Sequence, residues 1–202
     1  AFAGRVQIND LITAADGYTL SLTGDANTFV AAIDILSTGK VTIGSADSDS
    51  STFNGGLTLV NGDPALDVRG AINSSADAIN FGTGTVTLLG DTTVATNAGG
   101  GLSAAGSSIT FGGAITGAFD LALNAGTGGA IASNGADAAG LIDITDLTIT
   151  QAGSAAFAGR VQINDLITAA DGYTLSLTGD ANTFVAAIDI LSTGKVTIGS
   201  AD

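Results

Sequence analysis

Histidine, cysteine, methionine and tryptophan are all absent from this 202-residue chain, every acidic residue is aspartate, and proline occurs once, at Pro64. Without cysteine there are no disulfide staples and no zinc–thiolate sites. Without histidine or cysteine the usual nucleophile–base pairs cannot form, and Ser or Thr would need a lysine partner such as Lys40. Missing Glu and Met, with Lys and Arg scarce, argue against helices. Only 5 residues are Lys or Arg against 19 acids, a net charge of −14. Such a chain has no track of cations for phosphates and is repelled by anionic membrane surfaces. No apolar run approaches the ~20 residues of a transmembrane helix. Neither nucleic-acid binding nor membrane insertion of this segment is expected.

What is present is apolar, small and turn-forming. Hydrophobic residues make up 45% of the chain, mean hydropathy is +0.46, and there are 30 glycines. Enough apolar surface exists for an extensive core, so disorder is excluded. Short segments alternate apolar with Thr, Ser, Asp or Ala: YTLSL (18–22), KVTI (40–43), GLTLV (56–60), ALDV (65–68), TVTL (85–88), SITF (108–111), DLAL (120–123), LIDI (141–144) and DLTI (146–149). This period of two marks strands with one buried face. Ile33, Asp34 and Ile35 alternate in the same way. Turn clusters lie between them at 23–27, 61–64, 97–101, 124–129 and 133–135, where Gly and Asn supply positive φ.

The strongest signal is internal. Residues 156–202 repeat residues 1–47 without a substitution, at an offset of 155. The reading is one full tandem repeat over 1–155 and the start of the next, identical repeat over 156–202. No linker separates the copies, and the chain reads as a window on a longer array. Fourteen Asp against Arg5, Lys40 and Arg69 leave −11 per period. Very short strands, loosely recurring phrases (SLTGD at 21–25, TLLGD at 87–91, LALNAG at 121–126, TITQAG at 148–153) and the missing linker favour a continuous solenoid. The fold class expected is all-β, a parallel β-helix (β-solenoid) of 155-residue repeats; one β-sandwich per repeat is the alternative. Coils of ~20 residues would give roughly eight per period and an axial length of ~4 nm.

The phrases ITFGGAI (109–115), GTVTLL (84–89) and DLALNAG (120–126) resemble the repeat regions of filamentous-haemagglutinin-type and autotransporter-like bacterial surface adhesins. The resemblance runs over the whole chain and rests on composition and phrase style, not on an invariant motif. It implies a right-handed parallel β-helix shaft, export to the bacterial cell surface, and work in adhesion, aggregation or surface coating. The family carries no catalytic residues in its shaft, so none is transferred. The identity of the two copies departs from the drifted repeats of such shafts, and points to recent duplication, ongoing recombination or deliberate idealisation.

No catalytic, cofactor or metal residues are assigned. Asp47, Asp49, Asp63, Asp143 and Asp146 read as solvated turn residues, because the calcium-binding loop patterns are missing. Weak, diffuse Ca2+ binding is compatible with the charge. Asp143 and Asp146 fall on opposite strand faces by their spacing, unsuited to an acid–base pair. The T-x-T spacings of Thr85 with Thr87 and Thr148 with Thr150 do not recur at a fixed interval, as an ice-binding rank would. The glycine pairs match no phosphate loop. Phe2, Phe29, Phe53, Phe81, Phe111 and Phe119 are expected as core ladder residues, and Arg5, Lys40 and Arg69 as surface charges near Asp, with Arg69 beside Asp67. The functional expectation is a structural shaft that is not an enzyme, with neighbouring repeats, end-to-end or lateral copies and surface glycans as partners. The alternatives are a multivalent polysaccharide- or Ca2+-binding module and, remotely, a polysaccharide-cleaving β-helix enzyme.

Overall fold

In the computed structural model the described residues are 1–60, 65–98, 105–186 and 188–199, with backbone alone for 135–140. No helix occurs among them. The chain is a parallel β-solenoid of about eight turns with three strand ladders running along its axis. Sheet I stacks Leu20–Leu22, Val41–Ile43, the first part of Leu66–Asn73, the first part of Val86–Ala95, Ile115–Thr116, the end of Ala130–Asp143, the end of Ser154–Ile163, and Thr183–Phe184. Sheet II carries Gln7–Ile8, Asn27–Phe29, Ser50–Phe53, the second halves of those same bent strands, Leu121–Asn124, Asp146–Gln151 and Asp165–Thr168. Sheet III carries Ile33–Ile35, Leu57–Leu59, Ile79–Asn80, Ile109–Phe111, the start of Ala130–Asp143, the start of Ser154–Ile163, Thr174–Leu177 and Val196–Ile198.

Every named pairing is parallel, so backbone donors and acceptors of one coil are satisfied by the coils above and below it. Alternation sends one side chain in and the next out. Leu20, Leu22, Val41, Ile43, Leu66, Val68, Val86 and Leu88 line the core from sheet I, while Ser21, Thr42 and Thr87 face out. Phe29 stacks on Phe53 with ring centroids 4.9 Å apart, and Phe81 on Phe111 at 4.7 Å. Phe157 is also fully buried, one coil beyond Ser133 in the column of Phe111. Phe2 and Phe119 depart from the expectation, at 44% and 37% exposure. Phe2 lies on the uncovered first coil; Phe119 sits at a corner, where the backbone turns the side chain outward.

Some corners admit only glycine. Gly44 has φ +82°, and a Cβ there would lie 2.0 Å from the carbonyl oxygen of Arg69 on the next coil. The turn cluster expected at 133–135 instead lies inside the long strand Ala130–Asp143. The cluster at 61–64 and residues 99–101 lie outside the described residues.

Coil length differs from the ~20 residues expected. The offset between stacked partners runs from 19 residues (Ile142 to Val161) to 30 (Ile79 to Ile109). Counted along sheet I, Leu20, Val41, Leu66, Val86, Ile115, Ile142 and Val161 mark six complete turns. Leu175, the copy of Leu20, arrives two strands later, on sheet III. One period is therefore six and two-thirds turns, or about 32 Å at the usual strand spacing, and not eight turns over 4 nm.

Candidate functional site

The corner joining sheets I and II gathers charge. Asp25, Asp47, Arg69, Asp91, Asp120, Asp146 and Asp165 occupy it on successive coils, the first five between the sheet I and sheet II segments of their turns and the last two at the head of their sheet II strands. In the sequence Asp25, Asp47, Arg69 and Asp91 stand 22 residues apart, but the later gaps are 29, 26 and 19, so no single spacing marks the whole ridge. Only the coil register reveals it.

Most of these carboxylates fasten one coil to the next. The Ser50 N–H donates to Asp25 Oδ1 at 3.1 Å, the Asp120 N–H to Asp91 Oδ1 at 3.2 Å, and the Asp165 N–H to Asp146 Oδ1 at 3.1 Å. Arg69 donates from Nε to Asp47 Oδ1 at 2.7 Å and from a terminal nitrogen to Asp47 Oδ2 at 3.3 Å. Arg69 thus pairs with the coil beneath it and not with Asp67, whose carboxylate takes Lys40 Nζ at 2.5 Å. The Arg69 hydrogen bond and charge hold Asp47 below the ordinary carboxylate range, and Asp47 in turn raises Arg69.

Asp49 is a turn residue, as expected. Its Oδ2 accepts from the Ser45 N–H (2.8 Å), the Ser45 hydroxyl (2.9 Å) and the Ala46 N–H (3.0 Å). Burial pushes its carboxyl up, but these hydrogen bonds and the Arg69 charge outweigh that and leave it lowered. Asp120 behaves oppositely. Partial burial, then the charges of Asp146 and Asp91, raise it. Like charges one coil apart repel by about 1 kcal/mol in water at ~4.8 Å, which matches this direction.

Beside the ridge, sheet II forms a shallow groove lined by Ala71, Thr93, Ala122 and Thr148, with Asp91 and Asp120 on its rim. Among the described residues no three acidic side chains converge in a way that could hold a metal ion. Asp143 closes its strand on sheet I and Asp146 opens the strand on sheet II. The bend at Ile144 and Thr145 separates them, a corner between the two segments in place of the strand-like spacing that puts them on opposite faces. Asp63 lies outside the described residues. Thr87 stacks between Asp67 and Thr116, and Thr148 between Ala122 and Ile167, so no rank of threonines forms.

Sequence reasoning missed the buried polar corner at Asn27, which it had placed in a turn. Asn27 is 1% exposed. It accepts the Val6 N–H at Oδ1 (2.9 Å), and its Nδ2 donates to the Gly24 carbonyl (2.5 Å) and Ser51 Oγ (3.1 Å), joining three coils. Its copy, Asn182, accepts the Val161 N–H at the same 2.9 Å.

No family model matches the chain, and no curated protein or solved structure is similar to it. What the surface can do follows from its geometry alone: attract cations diffusely along one ridge and present short rows of Thr, Ser, Ala and Asp elsewhere.

Proposed function

We propose that this chain is a length of structural shaft from a repetitive bacterial cell-surface protein that serves adhesion, aggregation or surface coating. One observation carries the reading. The join between the two sequence copies, at Ala155 and Ala156, falls inside the strand Ser154–Ile163, which pairs with the coil before it and the coil after it. A string of independent modules would need a hinge there. A shaft needs the ladder unbroken, so that length grows with copy number and bending strains hydrogen bonds and core together.

Hydrogen–deuterium exchange tests this. Amides of 154–163 are expected to exchange as slowly as those of 66–73 in mid-chain, opening only with the whole fold. Fast exchange confined to the join would replace the shaft with separate modules.

The acidic ridge favours a second reading, in which divalent cations screen Asp91, Asp120 and Asp146 and draw neighbouring shafts together. Calcium chloride should then raise the melting temperature and the scattering mass more than sodium chloride at equal ionic strength. Equal effects of the two salts would reduce the ridge to its fastening role.

A further inference from the structure

We propose that the 155-residue unit is a fractional-turn screw, which turns each copy of its surface onto a different sheet and restores the first orientation only after three units. The two identical blocks supply the observation. Gln7–Ile8 belongs to sheet II, but its copy at 162–163 pairs within sheet I. Leu20–Leu22 belongs to sheet I, while Leu175 to Leu177 pair within sheet III. Val41–Ile43 lies on sheet I and Val196–Ile198 on sheet III. Ile33–Ile35 lies on sheet III, whereas Asp189 bridges to Ile167 on sheet II.

The block's own packing survives this rotation. The Ser37 hydroxyl donates to the Tyr18 carbonyl at 2.6 Å, as Ser192 does to Tyr173. The Leu36 N–H donates to Thr13 Oγ1 at 2.7 Å, as Leu191 does to Thr168. Gly44 and Gly199 donate at 2.9 Å to Leu22 and Leu177. Each coil therefore recognises the coil beneath it, not its azimuth about the axis. Three sheets of similar short strands make the corners interchangeable, and a remainder of two-thirds of a turn causes no clash.

The rotation redistributes charge. Asp10 follows the sheet II strand Gln7–Ile8, away from the ridge, but its copy Asp165 lies on the ridge above Asp146. Asp25 stands on the ridge, whereas its copy Asp180 follows the sheet III strand Thr174–Leu177. In an array, which rests on the shaft reading, the Asp91–Asp120–Asp146 ridge would occupy each of the three corners in turn. Identical surface would return after twenty turns, about 96 Å at ~4.8 Å per turn. A partner, or a neighbouring shaft bridged by cations, would then meet the same ridge from every side.

The test uses the 202-residue chain, which has no cysteine to remove. Nitroxide labels go on Thr148→Cys with Ile167→Cys, outward residues paired in sheet II. A second chain carries Ala132→Cys with Ile167→Cys. If the second copy kept the azimuth of the first, Ile167 would follow Ile12 past sheet II and lie in the column of Ala132 on sheet III, within label range of it. The screw predicts strong dipolar broadening for 148 with 167 and none for 132 with 167. The reverse pattern overturns it. Asp143→Cys with Gln162→Cys (paired in sheet I) against Thr148→Cys with Gln162→Cys repeats the comparison at a second site, should the first labels disturb folding. A reversed pattern would leave the unbroken ladder and the shaft reading intact. A hinge at the join, seen by exchange, would instead remove the shaft while the label distances still reported the rotation.

Discussion

Identical residues in this chain have different burial, and the difference lies in what covers them. Phe2 is 44% exposed and its copy Phe157 is 0%; Ile43 is 1% exposed and its copy Ile198 is 54%. Leu22 and Leu177, covered on both sides in either copy, are both at 0%. Side-chain energetics here belong to a column of three stacked coils, the nearest-neighbour behaviour of a solenoid. Phe53, in the middle of such a column and stacked on Phe29, should lose about 3–5 kcal/mol on replacement by alanine, whereas Phe2→Ala should lose far less. Chemical denaturation of the two variants measures both. The aspartates give opposite pH signatures. Asp49 has its folded-state pKa lowered, so its contribution is present above the ordinary carboxylate value and disappears as pH falls through the folded value. Asp49→Asn should therefore destabilise at pH 7, by roughly 1–2 kcal/mol for the weakened hydrogen bonds, with the gap closing below about pH 4. Asp120 has its folded value raised, so its ionisation opposes folding as pH rises. Asp120→Asn should stabilise slightly at pH 7, an effect that solvent screening keeps small, and be neutral in acid. Melting curves from pH 3 to 8 would expose either sign reversed.

At the scale of strands and coils, the alternation of apolar and polar residues was readable because a buried face imposes a period of two on any strand. LTL at 57–59, ITF at 109–111 and LALN at 121–124 all appear where the sequence puts strands. The loose echoes also carried meaning. LALNAG and TITQAG are stacked neighbours on sheet II, with Leu121 over Leu147 and Leu123 over Ile149. Coil register was not readable, because coils of 19 to 30 residues absorb insertions at corners and leave no fixed period. The acidic ridge depends wholly on that register and was invisible for the same reason. Asn27 reads as a turn residue because Asn usually is one; its burial depends on Val6 and Ser51, more than twenty residues away on either side. In the 202-residue chain taken alone, the same alternation leaves apolar side chains uncovered on the last described coil. Val185, Leu191, Val196 and Ile198 are 78%, 55%, 37% and 54% exposed on the last described coil. An uncovered parallel edge with apolar side chains invites pairing. Ile198→Lys should shift sedimentation toward the monomer at high protein concentration, while the same change at Ile43, buried by the next coil, should unfold the protein.

For the whole molecule, two properties define the solenoid: an unbroken ladder across the sequence join, and a unit that ends part-way round a turn. The first makes length additive in copies. The second distributes each surface feature around the axis, so a long array would have no single charged side on which to aggregate into flat sheets. Both arise from one cause, that a three-sided coil stacks on its neighbour through local contacts and is indifferent to where the chain's repeat begins.

Electron cryomicroscopy of filaments built from tandem units tests the continuous shaft most directly. A straight rod with rungs ~4.8 Å apart and a rise of about 32 Å per unit is the predicted result. Beads joined by bends would contradict it; a rod with a rise near 4 nm and every unit in the same orientation would keep the shaft and overturn the fractional turn.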